Sequence, residues 1–257
     1  MTRRALAGRT VVVTRPVEQA GELAALITDA GGPPLRFPVI ELRAVEDEQP
    51  FLDVVDRLDQ FDFAVFISPN AVGRAMSRIL ERRALPPGLR TAAVGGGSVR
   101  ALGRYGVTGV LAPHGRYDSE ALLELPELAD PRGKRVAIFR GQGGRELLGE
   151  TLSARGAQVE YAECYRRCRP EADPAPLLQA WRRNELDAVT VTSSEGLRNL
   201  FDLVDAGRDA LRATPLFVPH PRIAQAARGL QVRTVIVTGP GDAGLLTGLT
   251  AYFGAAR

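Results

Sequence analysis

One pattern occurs twice in this chain, and that repeat limits the possible folds more than any other feature. "GRTVVVTRP" from Gly8 matches "GKRVAIFRG" from Gly133, and "DFAVFISPNAV" from Asp62 matches "DAVTVTSSEGL" from Asp187, both at an offset of 125. A third pair, "AVGGGSVRAL" with Val94 and "FVPHPRIAQA" with Val218, falls at 124. Self-similarity at a fixed spacing signals a repeated structural unit. Within each copy, short β-branched runs alternate with helical patterns, the mark of α/β construction. "RTVVVTRP" leads into a helical segment over residues 18–30, "FDFAVFISPNAV" into a helix through Leu80, and "RTAAVGGGSVRAL" into a third. The expected fold is two similar α/β domains, with parallel sheets flanked by helices.

Composition fits this and removes several classes of function. At 257 residues the chain can form two ordinary domains, and 45% hydrophobic with 25% charged residues is a globular balance. No apolar run approaches about 18 residues, so no membrane-spanning helix is expected. The basic start "MTRRALAGRTVVVTRP" runs directly into a strand pattern rather than a leader peptide. Two cysteines are no disulfide framework, which suits a reducing cytoplasm. The net charge of +3 is spread out, with no basic run to meet nucleic acid. Lys134 is the only lysine, so no glycine-rich loop ends in Lys-Ser or Lys-Thr and there is no P-loop. "RGQGGREL" fails the dinucleotide fingerprint because Glu146 stands where its last glycine belongs.

In doubly wound α/β domains, ligands gather at the carboxyl ends of strands, where helix N-termini favour anions. The segments expected there are rich in small and polar residues. They are "TRP" with Arg15, "SPNAV" with Ser68 and Asn70, "GGGS" with Gly97 and Ser98, and "YDSEALL" with Ser119. The second copy adds "RGQGG" with Arg140 and Gly141, "TSSEG" with Ser193 and Ser194, and "PHPR" with His220 and Arg222. Each hydroxyl could equally be a helix N-cap. Arg15 and Arg140 occupy equivalent places in the two copies and could bind carboxylates or form surface salt bridges.

"ECYRRC", Glu163–Cys168, poses a separate question. The surrounding alternation favours a strand, in which Cys164 and Cys168 share a face about 13 Å apart at about 3.3 Å per residue. A disulfide needs Cα atoms within about 7 Å, so neither a bridge nor a shared metal is expected. On a regular strand Tyr165 points to the opposite face. Its counterpart in the first copy is Ile40, in "RFPVIEL", and both stretches could be second core strands or crossings between lobes.

Taken in order, "VVVTRP", "FISPNAV", "AVGGGSVRAL", "YDSEALL", "FRGQGGRELLGETLSARGAQV", "ECYRR", "VTSSEGLRNL" and "FVPHPRIAQAAR" resemble the uroporphyrinogen-III synthase family over nearly the whole length. The resemblance implies two α/β domains joined by a two-stranded linker, with the active-site cleft between them. Carried over, residues 1–36 with 170–257 form one domain and 43–162 the other, with 37–42 and 163–169 as the linker strands. The implied reaction is cyclisation of the linear tetrapyrrole hydroxymethylbilane to uroporphyrinogen III, with inversion of ring D and loss of water. The implied path ionises the terminal hydroxymethyl group to an azafulvene and closes through a spiro-pyrrolenine, with no cofactor and no metal. The family's linker tyrosine aligns with Tyr165, which is thereby expected to be the general acid, since a phenol is protonated at neutral pH. A matching hydroxyl in the second copy is replaced by Pro221 and Arg222, leaving Arg222 or His220 to meet a carboxylate. The expected partner is a polycarboxylate small molecule, with no nucleic acid or membrane, and the protein is expected to be a cytoplasmic monomer. The alternative is a cytosolic two-lobed binding or sensor protein for an acidic small molecule. A nucleotide-dependent transferase lacks its phosphate fingerprint.

Overall fold

The computed structural model describes residues 5–116 and 118–255. Tyr117, which opens "YDSEALL", lies outside the described residues, as do residues 1–4 of the basic start. The chain divides into two compact units, residues 1–41 with 168–257 and residues 42–167. In chain order, the first unit opens with β1 (Val11–Val13), α1 (Val17–Asp29) and β2 (Pro34–Arg36). At the boundary β3 (Glu41–Arg43) follows, then α2 (Gln49–Asp56), β4 (Phe63–Phe66), α3 (Pro69–Arg82), β5 (Arg90–Ala93) and α4 (Gly96–Gly103). The second unit continues with α5 (Ser119–Leu123), α6 (Pro126–Ala129), β6 (Arg135–Gly141), α7 (Leu147–Ala154) and β7 (Gln158–Cys168). The chain then returns to the first unit through α8 (Ala175–Arg182), β8 (Ala188–Thr190), α9 (Ser194–Leu203) and α10 (Arg208–Ala213). It ends with β9 (Leu216–Val218), α11 (Pro221–Gly229), β10 (Val235–Val237) and α12 (Gly241–Ala255).

The first unit carries a five-stranded sheet in the order β10-β9-β8-β1-β2, with every neighbouring pair parallel. The second carries β3-β7-β6-β4-β5, parallel from β7 through β5. The repeat is visible strand by strand: β1, β2, β8 and β9 of one sheet answer β6, β7, β4 and β5 of the other. A parallel bridge from Ala92 to Leu111 marks where the second sheet has the beginning of a strand answering β10. The third repeat shifts by one residue from the sequence reading. β5 ends at Ala93 and β9 at Val218, and α4 and α11 start at Gly96 and Pro221, so the offset is again 125. The counterpart of Ser98 is then Ile223, not Pro221 or Arg222.

These sequences form parallel sheets because their strands are apolar on both faces: "VVV" of β1, "FAVF" of β4 and "LFV" of β9 are wholly buried. In the first unit Val11 and Val13 share a core with Leu23 and Ile27 of α1 and Leu245, Leu249 and Phe253 of α12. In the second, Phe63, Val65, Val136 and Ile138 pack with Leu122, Leu128, Leu148 and Leu152. Phe66 and Phe139 stack with ring centroids 4.9 Å apart, and Phe51 of α2 meets Phe139 edge-on. Among the described residues, no helix is long and apolar enough to cross a membrane.

Parallel pairing brings the carboxyl ends of the parallel strands in a unit to one side, and with them the loops singled out above. One contact there fixes the start of α12: a Cβ on Gly244 would run into the carbonyl group of Gly239. Backbone on the other side of the contact cannot swing away as a side chain could. Gly244→Ala is therefore expected to destabilise the first unit by about 1–3 kcal/mol. Trp181, the only tryptophan, lies in that unit and donates to Thr214 Oγ1 at 2.9 Å. Its fluorescence transition in urea should shift to lower concentration in the variant, and an unchanged midpoint would show that the loop adjusts freely.

Candidate functional site

At the carboxyl end of the second sheet, four strand ends place a group of side chains around Tyr165. β7 pairs with β6 in regular register from Arg135–Gln158 to Arg140–Glu163, and then Gly141 pairs with Tyr165. Cys164 is thus the extra residue of a bulge, a device that re-aims the side chains beside it. The regular alternation expected across "ECYRRC" is broken at this point. The Cys164 thiol lies 3.8 Å from the Ala71 carbonyl oxygen and 3.3 Å from that of Arg140, while Gln142 N–H donates to the Tyr165 carbonyl at 2.7 Å.

Tyr165 is 1% exposed, among the largest fully buried side chains of the molecule. Its ring lies on Gly141: a Cβ there would sit 2.6 Å from two ring carbons, so only glycine allows this approach. Its hydroxyl is 3.2 Å from Ser68 Oγ. Ser68 caps α3 by accepting from Ala71 N–H at 3.2 Å. The Arg167 guanidinium stands 5.9 Å from the Tyr165 ring centroid. A Cβ on Gly97, in the first turn of α4, would come 3.2 Å from Pro69 Cγ, so the starts of α3 and α4 lie side by side. Asn70 is half-buried in the first turn of α3.

A cavity of about 280 Å³ opens beside Tyr165, walled by Ile67, Ile138 and Leu148 and by Ser119, Arg140, Arg145 and Arg167. That is at the small end of ligand pockets, so it suits part of a substrate rather than a whole large one. Arg140 is 5% exposed and its donors are engaged inside the protein. It contacts Glu146 at 3.1 Å and the Gly143 carbonyl, and stacks over Tyr161 at 4.7 Å. Tyr161, which sequence reasoning did not single out, also lines the cavity, and burial with Glu146 nearby pushes its phenol up to about 12. Arg145 pairs with Glu120 of α5 at 2.5 Å. Ser119 follows Asp118, which is the residue that caps α5, accepting from Ala121 N–H at 2.7 Å. Ser98 is 2% exposed in the first turn of α4, where Gly95 holds the cap position.

The first unit collects the remaining candidates at its own strand ends. Ser193 caps α9, accepting from Gly196 N–H at 2.9 Å, and Ser194 follows with a buried hydroxyl that has no hydrogen-bond partner among the described residues. His220 caps α11 by accepting from Arg222 N–H at 3.1 Å, with the Arg222 side chain exposed. Arg15 is paired with Asp242 of α12 and donates to Gln19 at 3.1 Å. Burial raises the Asp242 carboxyl above its ordinary range, with the Arg15 charge acting the other way. Arg15 and Arg140 therefore hold internal contacts in both units.

A doubled parallel α/β protein, with polar helix starts and small residues at its strand ends, is the class that this architecture defines. Comparison with known proteins narrows it. A family model described as "Uroporphyrinogen-III synthase HemD" matches residues 21–246. Uroporphyrinogen-III synthase of Escherichia coli is 35% identical over 236 residues, 91% of this chain and 96% of that protein. The Salmonella typhimurium enzyme is 34% identical over the same shares. A mutant uroporphyrinogen III synthase from Thermus thermophilus has the same fold, with a TM-score of 0.60 at 24% identity, covering 97% of this chain and 100% of that one. Uroporphyrinogen-III synthetase from Helicobacter pylori gives 0.57 at 14%, with the same coverage. This chain belongs to the uroporphyrinogen-III synthase family.

The two cysteines differ in environment. Both are free thiols, and among the described residues no cluster of histidine, cysteine and carboxylates is placed to hold a metal. Burial pushes the Cys164 thiol up to about 12, so it stays protonated at neutral pH, while Cys168 is half-buried at the end of β7. Since the thiolate is the reactive form, an aromatic disulfide reagent at pH 8 should release one equivalent from the native protein and a second only on unfolding. Cys168→Ser should abolish the first release; two rapid equivalents would contradict the burial of Cys164.

Proposed function

We propose that this chain is a uroporphyrinogen-III synthase in the full sense, cyclising hydroxymethylbilane to uroporphyrinogen III with inversion of ring D and loss of water. The observation that carries the site assignment is the Tyr165 hydroxyl, held beside a cavity whose rim includes Arg145 and Arg167. The substrate is a polycarboxylate, and guanidinium groups with nearby helix N-termini suit such anions.

In this reading Tyr165 is the general acid. Its proton passes to the terminal hydroxyl of the substrate as the carbon–oxygen bond breaks, giving water, an N-protonated azafulvene cation and a phenolate. Ring closure at the substituted carbon of ring D gives the spiro-pyrrolenine, which fragments and recloses. The proton lost from carbon in the final step returns to the phenolate, so the enzyme ends as it began. Asn70, Gly97 and Ser98 at the starts of α3 and α4, with Ser119, Arg140 and Gly141 around the cavity, are assigned to the substrate side of the second unit. Arg15, Ser193, Ser194, His220 and Arg222 are assigned to it in the first. Residues 37–42 and 163–169 are assigned as the connections between domains, and the protein is assigned as a cytoplasmic monomer acting without cofactor or metal.

Steering matters as much as acid help, because the unassisted substrate closes without inversion to the type I isomer. The test supplies freshly generated hydroxymethylbilane, oxidises the products and separates the porphyrin isomers. The type III isomer should dominate; type I alone would leave a binding protein. Tyr165→Phe should still bind substrate but lose roughly 10²–10⁴-fold in turnover, the usual worth of a positioned acid. Near-normal turnover in that variant would remove Tyr165 from the acid role.

A further inference from the structure

The acid role leaves open what stabilises Tyr165 once its proton has gone. From the 3.2 Å approach of Ser68 Oγ to the Tyr165 hydroxyl, we propose that Ser68 is a positioning residue whose O–H turns to donate a hydrogen bond to the Tyr165 phenolate. This rests on Tyr165 acting as the acid.

A serine hydroxyl has one proton and two lone pairs. One lone pair of Ser68 accepts from Ala71 N–H at 3.2 Å, the capping contact that fixes the serine at the start of α3. The other lone pair and the proton remain for Tyr165. Before reaction Tyr165 can donate to Ser68. When Tyr165 gives its proton to the departing hydroxyl, a rotation of the Ser68 O–H lets it donate to the phenolate oxygen instead. No proton leaves Ser68, so the exchange balances without a further base. The contact is long for a pair of hydroxyls, as catalytic hydrogen bonds often are before substrate tightens them.

Two features make this more than a neighbouring cap. Gly141 removes the side chain that would push the ring away, and the bulge at Cys164 turns the strand so that the phenol is directed toward the serine. The Ser68 hydroxyl also accepts from the Ala71 N–H at the start of a 14-residue helix, whose positive end favours a developing anion nearby.

The test is a double-mutant cycle read in steady-state kinetics and product isomers. Ser68→Ala should lower kcat about ten- to a hundredfold, the worth of a hydrogen bond to a charged group, with KM little changed. Ser68→Thr keeps both the hydroxyl and the cap and should restore most of the rate. In a Tyr165→Phe background, Ser68→Ala should add no more than about twofold, because the group it serves is already gone. Losses that multiply, or a rise in KM in place of the fall in kcat, would place Ser68 on the substrate and overturn the proposal while leaving Tyr165 as the acid. Failure of Tyr165→Phe to slow turnover would instead overturn the acid role itself. Thermal unfolding separates loss of the cap from loss of the switch: Ser68→Asn, which can cap α3, should stay closer to wild-type stability than Ser68→Ala while losing kcat to a similar extent.

Discussion

The ring of Tyr165 lies on the bare backbone of Gly141, and the arrangement of the second unit's strand ends depends on that contact. Two neighbouring parallel strands ordinarily keep their side chains standing beside one another. Here β6 supplies no side chain at the position opposite Tyr165, and the ring occupies the space a Cβ would take. The bulge at Cys164 then has a structural purpose. It costs one residue of ladder, which the Gln142 N–H bond to the Tyr165 carbonyl partly restores, and it lets a phenol end against the cap of α3.

The sequence made the architecture legible for a physical reason: parallel strands buried on both faces need continuous apolar runs, and both copies carry them at one spacing. It also pointed to the strand-end segments, because caps and tight turns draw on few residue types. What it could not supply was partnership. Nothing in "RGQGG" says that Arg140 is folded back onto Glu146 and Tyr161. Nothing in "TRP" says that Arg15 meets Asp242, more than two hundred residues away in sequence. The third repeat was misread by one residue because glycine and proline loops offer few landmarks for alignment. The bulge was illegible because the extra residue, Cys164, is as acceptable in a regular strand as in an irregular one. Tyr161 went unnoticed for a similar reason, since a tyrosine at the edge of a core looks like any other until its neighbours are known.

The two units share a frame but not an environment at equivalent points. Ser68 and Ser193 cap α3 and α9 through the same hydrogen bond, to Ala71 and Gly196 respectively. Beside the first cap stands the Tyr165 hydroxyl; beside the second, the space a Cβ on Gly196 would occupy is bounded by Val39 and Ile40. Ile40 is the repeat counterpart of Tyr165, so a phenol in one copy corresponds to an alkyl group in the other. Asn70 likewise corresponds to Glu195, and buried Ser98 to buried Ile223. The buried phenol thus stands at one of two similar sets of strand ends, while the other has an apolar wall at that point and carries its own titratable groups, His220 and the Arg15–Asp242 pair.

That asymmetry bears on how a single phenol could serve the reaction. If Tyr165 is the acid, ionisation occurs only where the terminal ring reaches it, so placement precedes chemistry. The buried position of that phenol, with 1% of it exposed, reinforces the order, because bulk water has little access to take its role. The repeat therefore provides a similar frame twice, and Gly141, the Cys164 bulge and Tyr165 are where the second unit departs from the first.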